Sequence, residues 1–136
     1  MNGRAFLIPA EELATGPSEA HRRASAGRSY YALFQEALAA ITRWGFVAPP
    51  RENIHAYVRL RFTYSTDADA YSIGRDLEFL VKLRNEADYR LATPDRFRSA
   101  TEAARAVARS RDAIAILDAL EADPSRRAAV IASIRP

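Results

Sequence analysis

Apolar side chains recur at three- and four-residue steps through most of this chain, and that spacing suits one regular structure, the α-helix. Tyr31, Phe34, Leu38 and Ile41 share a face in this way, and so do Ile73, Leu77, Leu80 and Val81. Farther on the pattern continues through Phe97, Ala100, Ala104, Val107, Ile114, Leu117 and Leu120. No segment shows the convincing period-two alternation of a half-buried strand, and five glycines in 136 residues are too few for a turn-rich β fold. Only at residues 59–64, Arg-Leu-Arg-Phe-Thr-Tyr, does a strand compete with a helix.

Turn and cap residues divide the pattern. Residues 1–17, with Pro9, Gly16 and Pro17, read as a loose lead-in with a short turn at 10–14. Ser18 caps a first helix that ends at Gly45, with His21 three residues on, where a capping box wants Glu or Gln. Gly27 on its apolar face predicts close helix packing. Pro49-Pro50 marks the next boundary, and a second helix is expected over 51–64, with Ile54, Tyr57 or Val58, and Arg61 in register. Thr66 or Asp67 caps a third over 68–91. Thr93-Pro94 starts a fourth that runs to 121, and Asp123-Pro124 a short fifth that runs to 134. Short connections favour antiparallel neighbours. The expectation is an all-α fold: an antiparallel up-down bundle of four long helices plus a short C-terminal helix. It places the lead-in at 1–17 and a single helical domain at 18–136.

Composition narrows the chemistry. With no cysteine there are no disulfides or thiolate metal sites. The N-terminal stretch lacks the apolar centre of a signal peptide, and no apolar run approaches the roughly 20 residues of a membrane span. A cytoplasmic protein with no membrane partner is expected. The formal charge is +3, and Lys82 is the only lysine among 20 basic residues. Arginine forks suit phosphate, although an arginine- and alanine-rich chain also follows from a GC-rich genome. His21 and His55 stand at no ligand spacing, and no zinc motif, Walker loop, dinucleotide fingerprint or Gly-x-Ser-x-Gly elbow occurs. No metal or cofactor is expected.

The third predicted helix carries an anomaly. At about 100° per residue, Arg84 and Asp88 fall within the stripe that Leu77, Leu80, Val81 and Leu91 define. Charged side chains are rarely buried unless paired, and at i and i+4 these two reach each other. The order, Arg before Asp, is the less favourable one for an isolated helix. Two readings stand open: a buried ion pair that fixes helix register, or a stripe that opens there into a cleft or interface. Arg28 lies at the edge of the first helix's apolar face beside Tyr31, and Tyr89 points to the side of the third helix's stripe.

Two segments carry a family resemblance. Ala24-Ser-Ala-Gly-Arg28-Ser-Tyr30-Tyr31-Ala32-Leu33-Phe34 and Leu83-Arg84-Asn85-Glu86-Ala87-Asp88-Tyr89 resemble the bacterial HEPN (higher eukaryotes and prokaryotes nucleotide-binding) superfamily. The branch is the one with Arg-x-Tyr-Tyr-Ala-x-Phe on its first helix and Arg-x-x-Ala-Asp-Tyr on its third. His55 resembles a histidine often found at the start of helix two. The resemblance implies a helical bundle, often a homodimer. It also implies metal-independent RNA cleavage in toxin–antitoxin or defence systems, or partnership with a nucleotidyltransferase. By that resemblance Arg84 contacts a scissile phosphate, Asn85 donates to substrate and Asp88 orients Arg84, while Arg28, Tyr31 and Tyr89 bind substrate. The family's histidine some five residues after its arginine is missing, for the stretch reads Ala87-Asp88-Tyr89-Arg90. Cleavage of this type needs a base for a 2′-hydroxyl, and an imidazole suits that task. An RNA-directed enzyme and a non-catalytic interaction module with a structural Arg84–Asp88 pair therefore both remain open.

Overall fold

The computed structural model describes residues 1–92 and 95–135. All regular structure among them is helical: a 3-10 turn at Gly3–Phe6, then α1 (Leu7–Ala14), α2 (Glu19–Arg43), α3 (Ile54–Thr63), α4 (Ala68–Tyr89), α5 (Thr101–Ala122) and α6 (Pro124–Ser133). No helix of the described residues is long and apolar enough to cross a membrane.

Caps set most boundaries. Ser18 accepts from the backbone N–H of His21 at 3.2 Å, and the His21 ring returns to the Ser18 hydroxyl, Nδ1 to Oγ 2.5 Å. The imidazole stands at the capping-box position but bonds to the Ser18 hydroxyl and not, as a glutamate would, to its backbone N–H. At the other end of α2, Gly45 adopts φ 93°. Its N–H donates to the Thr42 carbonyl and that of Phe46 to the Ile41 carbonyl, a Schellman closure. Asn53, Asp67 and Asp123 cap α3, α4 and α6 through their side-chain oxygens.

Four expectations change. The lead-in is helical: Pro9 stands in the first turn of α1, where its missing N–H goes unused. Ala10 and Ala14 then pack on Ala103 and Val107 of α5. The second predicted helix begins only at Ile54, behind its Asn53 cap, and the competing 59–64 segment is helical through Thr63. The expected Thr93-Pro94 cap lies outside the described residues, but α5 starts at Thr101, so residues 95–100 are not helical. Among the described residues no neighbouring element comes within 4 Å of a Cβ added at Gly27. The close approach belongs instead to Gly74 on α4, where an added Cβ would lie 2.6 Å from the backbone nitrogen of Thr63.

The core gathers around α2. Tyr30, Leu33, Phe34, Ala37 and Ile41 meet Val58 and Phe62 of α3, Leu77, Leu80 and Leu83 of α4, and Leu117 and Leu120 of α5 in one apolar cluster. Trp44 closes its far end against Phe62, with ring centroids 6.1 Å apart. Arginines tie the ends of helices together. Buried Arg23 donates to the carbonyls of Glu86, Ala87 and Arg90 where α4 stops, and its guanidinium lies over the Phe97 ring. Arg4 bridges Glu36 on α2 and Asp118 on α5. Arg126 of α6 grips Asp67 and Asp69 at the start of α4.

Candidate functional site

Arg84 and Asp88 are paired, Nε to Oδ2 at 3.0 Å, but they do not sit in mid-stripe. The buried face of α4 turns through Ile73, Leu77, Leu80, Leu83 and Ala87, which leaves the pair at its border. The Arg84 side chain is 20% exposed and that of Asp88 40%, while Leu91, expected in the stripe, is 69% exposed. A pair this open contributes only about 0.2–1 kcal/mol, too little for stability to be a sufficient reason for it. The Arg84 Nε is itself buried and makes no aligned hydrogen bond among the described residues, so the contact with Asp88 is Coulombic rather than directional.

The rest of the guanidinium is well placed. Nη1 reaches the Asn85 Oδ1 at 3.5 Å, and Nη2 donates to the Tyr31 hydroxyl at 3.3 Å. Its carbon lies 5.5 Å from the Tyr31 ring centroid and 5.8 Å from that of Tyr89. Five of the six residues singled out in the sequence therefore meet. Arg28 is the exception: it is exposed, lies 6.0 Å from the Phe6 ring, and adjoins the group only through the Phe6–Tyr31 ring contact.

Sequence reasoning left His55 unplaced, and the fold brings it here. The His55 ring stacks on Phe34 at 4.3 Å and meets Tyr31 edge-on at 6.5 Å. Its Nδ1 lies 2.6 Å from the Tyr30 hydroxyl. Burial holds the His55 pKa below its ordinary value, and the charges of Arg84 and Arg59 push it the same way, so the site favours the neutral ring. Burial lifts the Tyr30 phenol to about 12, although Arg59 and Arg84 both pull it down. Tyr30 and Phe34 are a turn apart on α2, and His55 and Arg59 a turn apart on α3. No spacing in the sequence links those two helices to Arg84; one helix face carrying His55 and Arg59 was the available signal.

The cluster is therefore a cation held against aromatic faces, a second cation one turn along α3, and a neutral imidazole, all at a half-open surface. Such a group suits an oxyanion, phosphate above all. Cavities flank it along α4: Arg59, Tyr64, Val81 and Lys82 are among the residues lining one of about 490 Å³, and Lys82, Asn85 and Arg90 line part of another. Among the described residues, no three His, Asp or Glu side chains gather to hold a metal ion. No family model, curated protein or solved structure matches this chain.

Proposed function

We propose that this chain is a HEPN-type RNA-binding protein whose Arg84–His55 cluster holds a phosphodiester and serves metal-independent RNA cleavage, in the setting of a toxin–antitoxin or defence system. The observation that carries the reading is the meeting of His55 with Arg84 at Tyr31. His55 from α3 brings an imidazole to the same site, as a second group beside Arg84 that can face the phosphate. Arg84 then neutralises the charge that grows on the phosphate oxygens, Asp88 and Tyr31 hold its guanidinium in place, and Tyr89 offers an exposed ring for a base. A homodimer belongs to the same reading. Arg23 near the start of α2 meets the end of α4, and Gly74 in α4 meets Thr63 at the end of α3, so α4 runs against both α2 and α3, whereas a strict up-down order would set α2 and α4 parallel.

Labelled single-stranded RNA, filter binding and a denaturing gel test the proposal. Loss of one charged hydrogen bond of about 1.5–3 kcal/mol predicts that Arg84→Ala weakens binding by about ten- to a hundredfold. The melting temperature should stay within a few degrees of wild type. A wild-type protein that neither retains nor cuts RNA overturns the reading. A second reading, a module that binds a partner such as a nucleotidyltransferase, has Tyr89 and Leu91 in its favour, which are 72% and 69% exposed beside the cluster. Under it, Arg84→Ala lowers the melting temperature or splits the dimer, and RNA is irrelevant.

A further inference from the structure

We infer that buried Tyr30 fixes His55 in the tautomer with its proton on Nε2, so that His55 meets a bound phosphodiester as a hydrogen-bond donor beside Arg84 and not as a base. The phosphodiester rests on the RNA reading above; the tautomer does not.

The argument is one of donors and acceptors. Tyr30 is 2% exposed, and its hydroxyl lies 2.6 Å from the His55 Nδ1. If Nδ1 carried the proton, the phenol oxygen would accept it, and the phenol's own hydrogen would need a second acceptor. Among the described residues the Tyr30 hydroxyl has no other hydrogen-bond partner, so that hydrogen would be stranded in the core. With the phenol donating to a bare Nδ1, the hydroxyl hydrogen and the ring nitrogen are both satisfied. Neutral imidazole then carries its one hydrogen on Nε2. That atom makes no hydrogen bond among the described residues and is not buried, so it is open to a ligand.

Neutral imidazole is a poor acid but a good donor to a phosphate oxygen, a role known where a histidine's pKa is held low. Arg84 and His55 form a two-donor clamp, and Tyr30 is its positioning residue. No base is left on His55. In cleavage the 2′-oxygen bonds to phosphorus as the bond to the 5′-oxygen breaks. Hydroxide takes the 2′-proton, and water returns one to the 5′-oxygen. The rate then climbs about tenfold per pH unit through neutrality, where a histidine base would give a plateau.

Ring-nitrogen NMR on 15N-histidine protein tests the tautomer directly, with His21→Gln to remove the other histidine's signals. The expected result is a lone-pair resonance at Nδ1 and an N–H resonance at Nε2. Tyr30→Phe, with helix content checked by circular dichroism, should move both towards averaged values. An N–H signature at Nδ1 in wild type overturns the proposal, as does a tautomer indifferent to Tyr30→Phe. A cleavage rate that flattens above pH 6.5 overturns the donor role. An Nε2–H signature in a protein that binds no RNA supports the tautomer and refutes the RNA reading alone.

Discussion

Replacing Gly74 by alanine should destabilise this protein even though alanine is the better helix former. In an exposed helix interior the exchange gains about 1 kcal/mol. At Gly74 the new methyl would lie 2.6 Å from the Thr63 nitrogen, 2.7 Å from the Thr63 Cγ2 and 2.9 Å from the Phe62 carbonyl carbon. Ordinary contact begins near 3.4 Å, so the end of α3 must retreat by about 0.8 Å. Two of these three atoms are backbone, and Phe62 is fully buried, so no flexible side chain absorbs the shift. Overpacking of this kind costs about 1–3 kcal/mol, which leaves a net loss of up to about 2 kcal/mol. For a chain of this size that is a fall of several degrees, up to about 10 °C, in a circular dichroism melt. Gly27→Ala is the control: nothing lies within 4 Å of its added Cβ, and it should raise the melting temperature by the propensity gain alone. If both variants gain stability equally, the close approach of α3 and α4 is not a constraint and the reasoning fails. The retreat also carries a functional reading, because α3 holds His55 and α4 holds Arg84.

Two further outcomes follow from the arginine contacts. Arg23→Ala leaves the last carbonyls of α4 and Glu19 without their donor and should lower stability by about 2–4 kcal/mol in urea titration; a loss under 1 kcal/mol would refute the capping role. For Glu36, burial alone would raise the pKa, but the hydrogen bonds and charge of Arg4 outweigh it, and the folded value lies below the ordinary 4.5. A depressed carboxylate adds stability above its unfolded pKa and loses it as pH falls through the folded one. Wild type should therefore lose stability as pH falls below about 4.5, while Glu36→Gln starts lower at pH 7 and declines less; parallel curves would contradict this.

Where a local rule sufficed, the sequence was legible. Ser18, Asp123-Pro124 and the glycine after α2 placed their helix ends because each cap is a short-range bond. Asp67, one of two candidates, proved to be the cap of α4. Ile73, Leu77 and Leu80 were placed on the core face, but Leu83 and Ala87 then carry that face away from Arg84. A charged residue one position off the apolar centre is indistinguishable by period from one within it. Residues 1–17 were misread because alanines 10 and 14 give little hydrophobic signal, and Pro9 looks like a breaker until its first-turn position is known. The proline after Thr93 suggested a helix start that the chain delays to Thr101. At the site, Arg84, Asn85, Asp88, Tyr31 and Tyr89 were legible because two motifs hold them. His55 and Tyr30 meet only through the tertiary crossing of α2 and α3, which no period encodes. Buried Arg23 was invisible for the same reason, since its partners are carbonyls more than sixty residues away.

The position of Trp44 gives the protein a built-in optical reporter. It is the only tryptophan, it is 9% exposed, and its indole N–H is buried without a hydrogen-bond partner among the described residues, so its emission in the folded state should be blue-shifted. Fourteen residues of α2 separate it from Tyr30, about 21 Å at 1.5 Å per residue. A ligand taken up at the tyrosine end leaves that fluorophore's surroundings untouched, whereas melting of the α2–α3 corner exposes it to water. One emission spectrum therefore separates occupancy from unfolding, and each variant can be checked for integrity in the cuvette where its binding is measured.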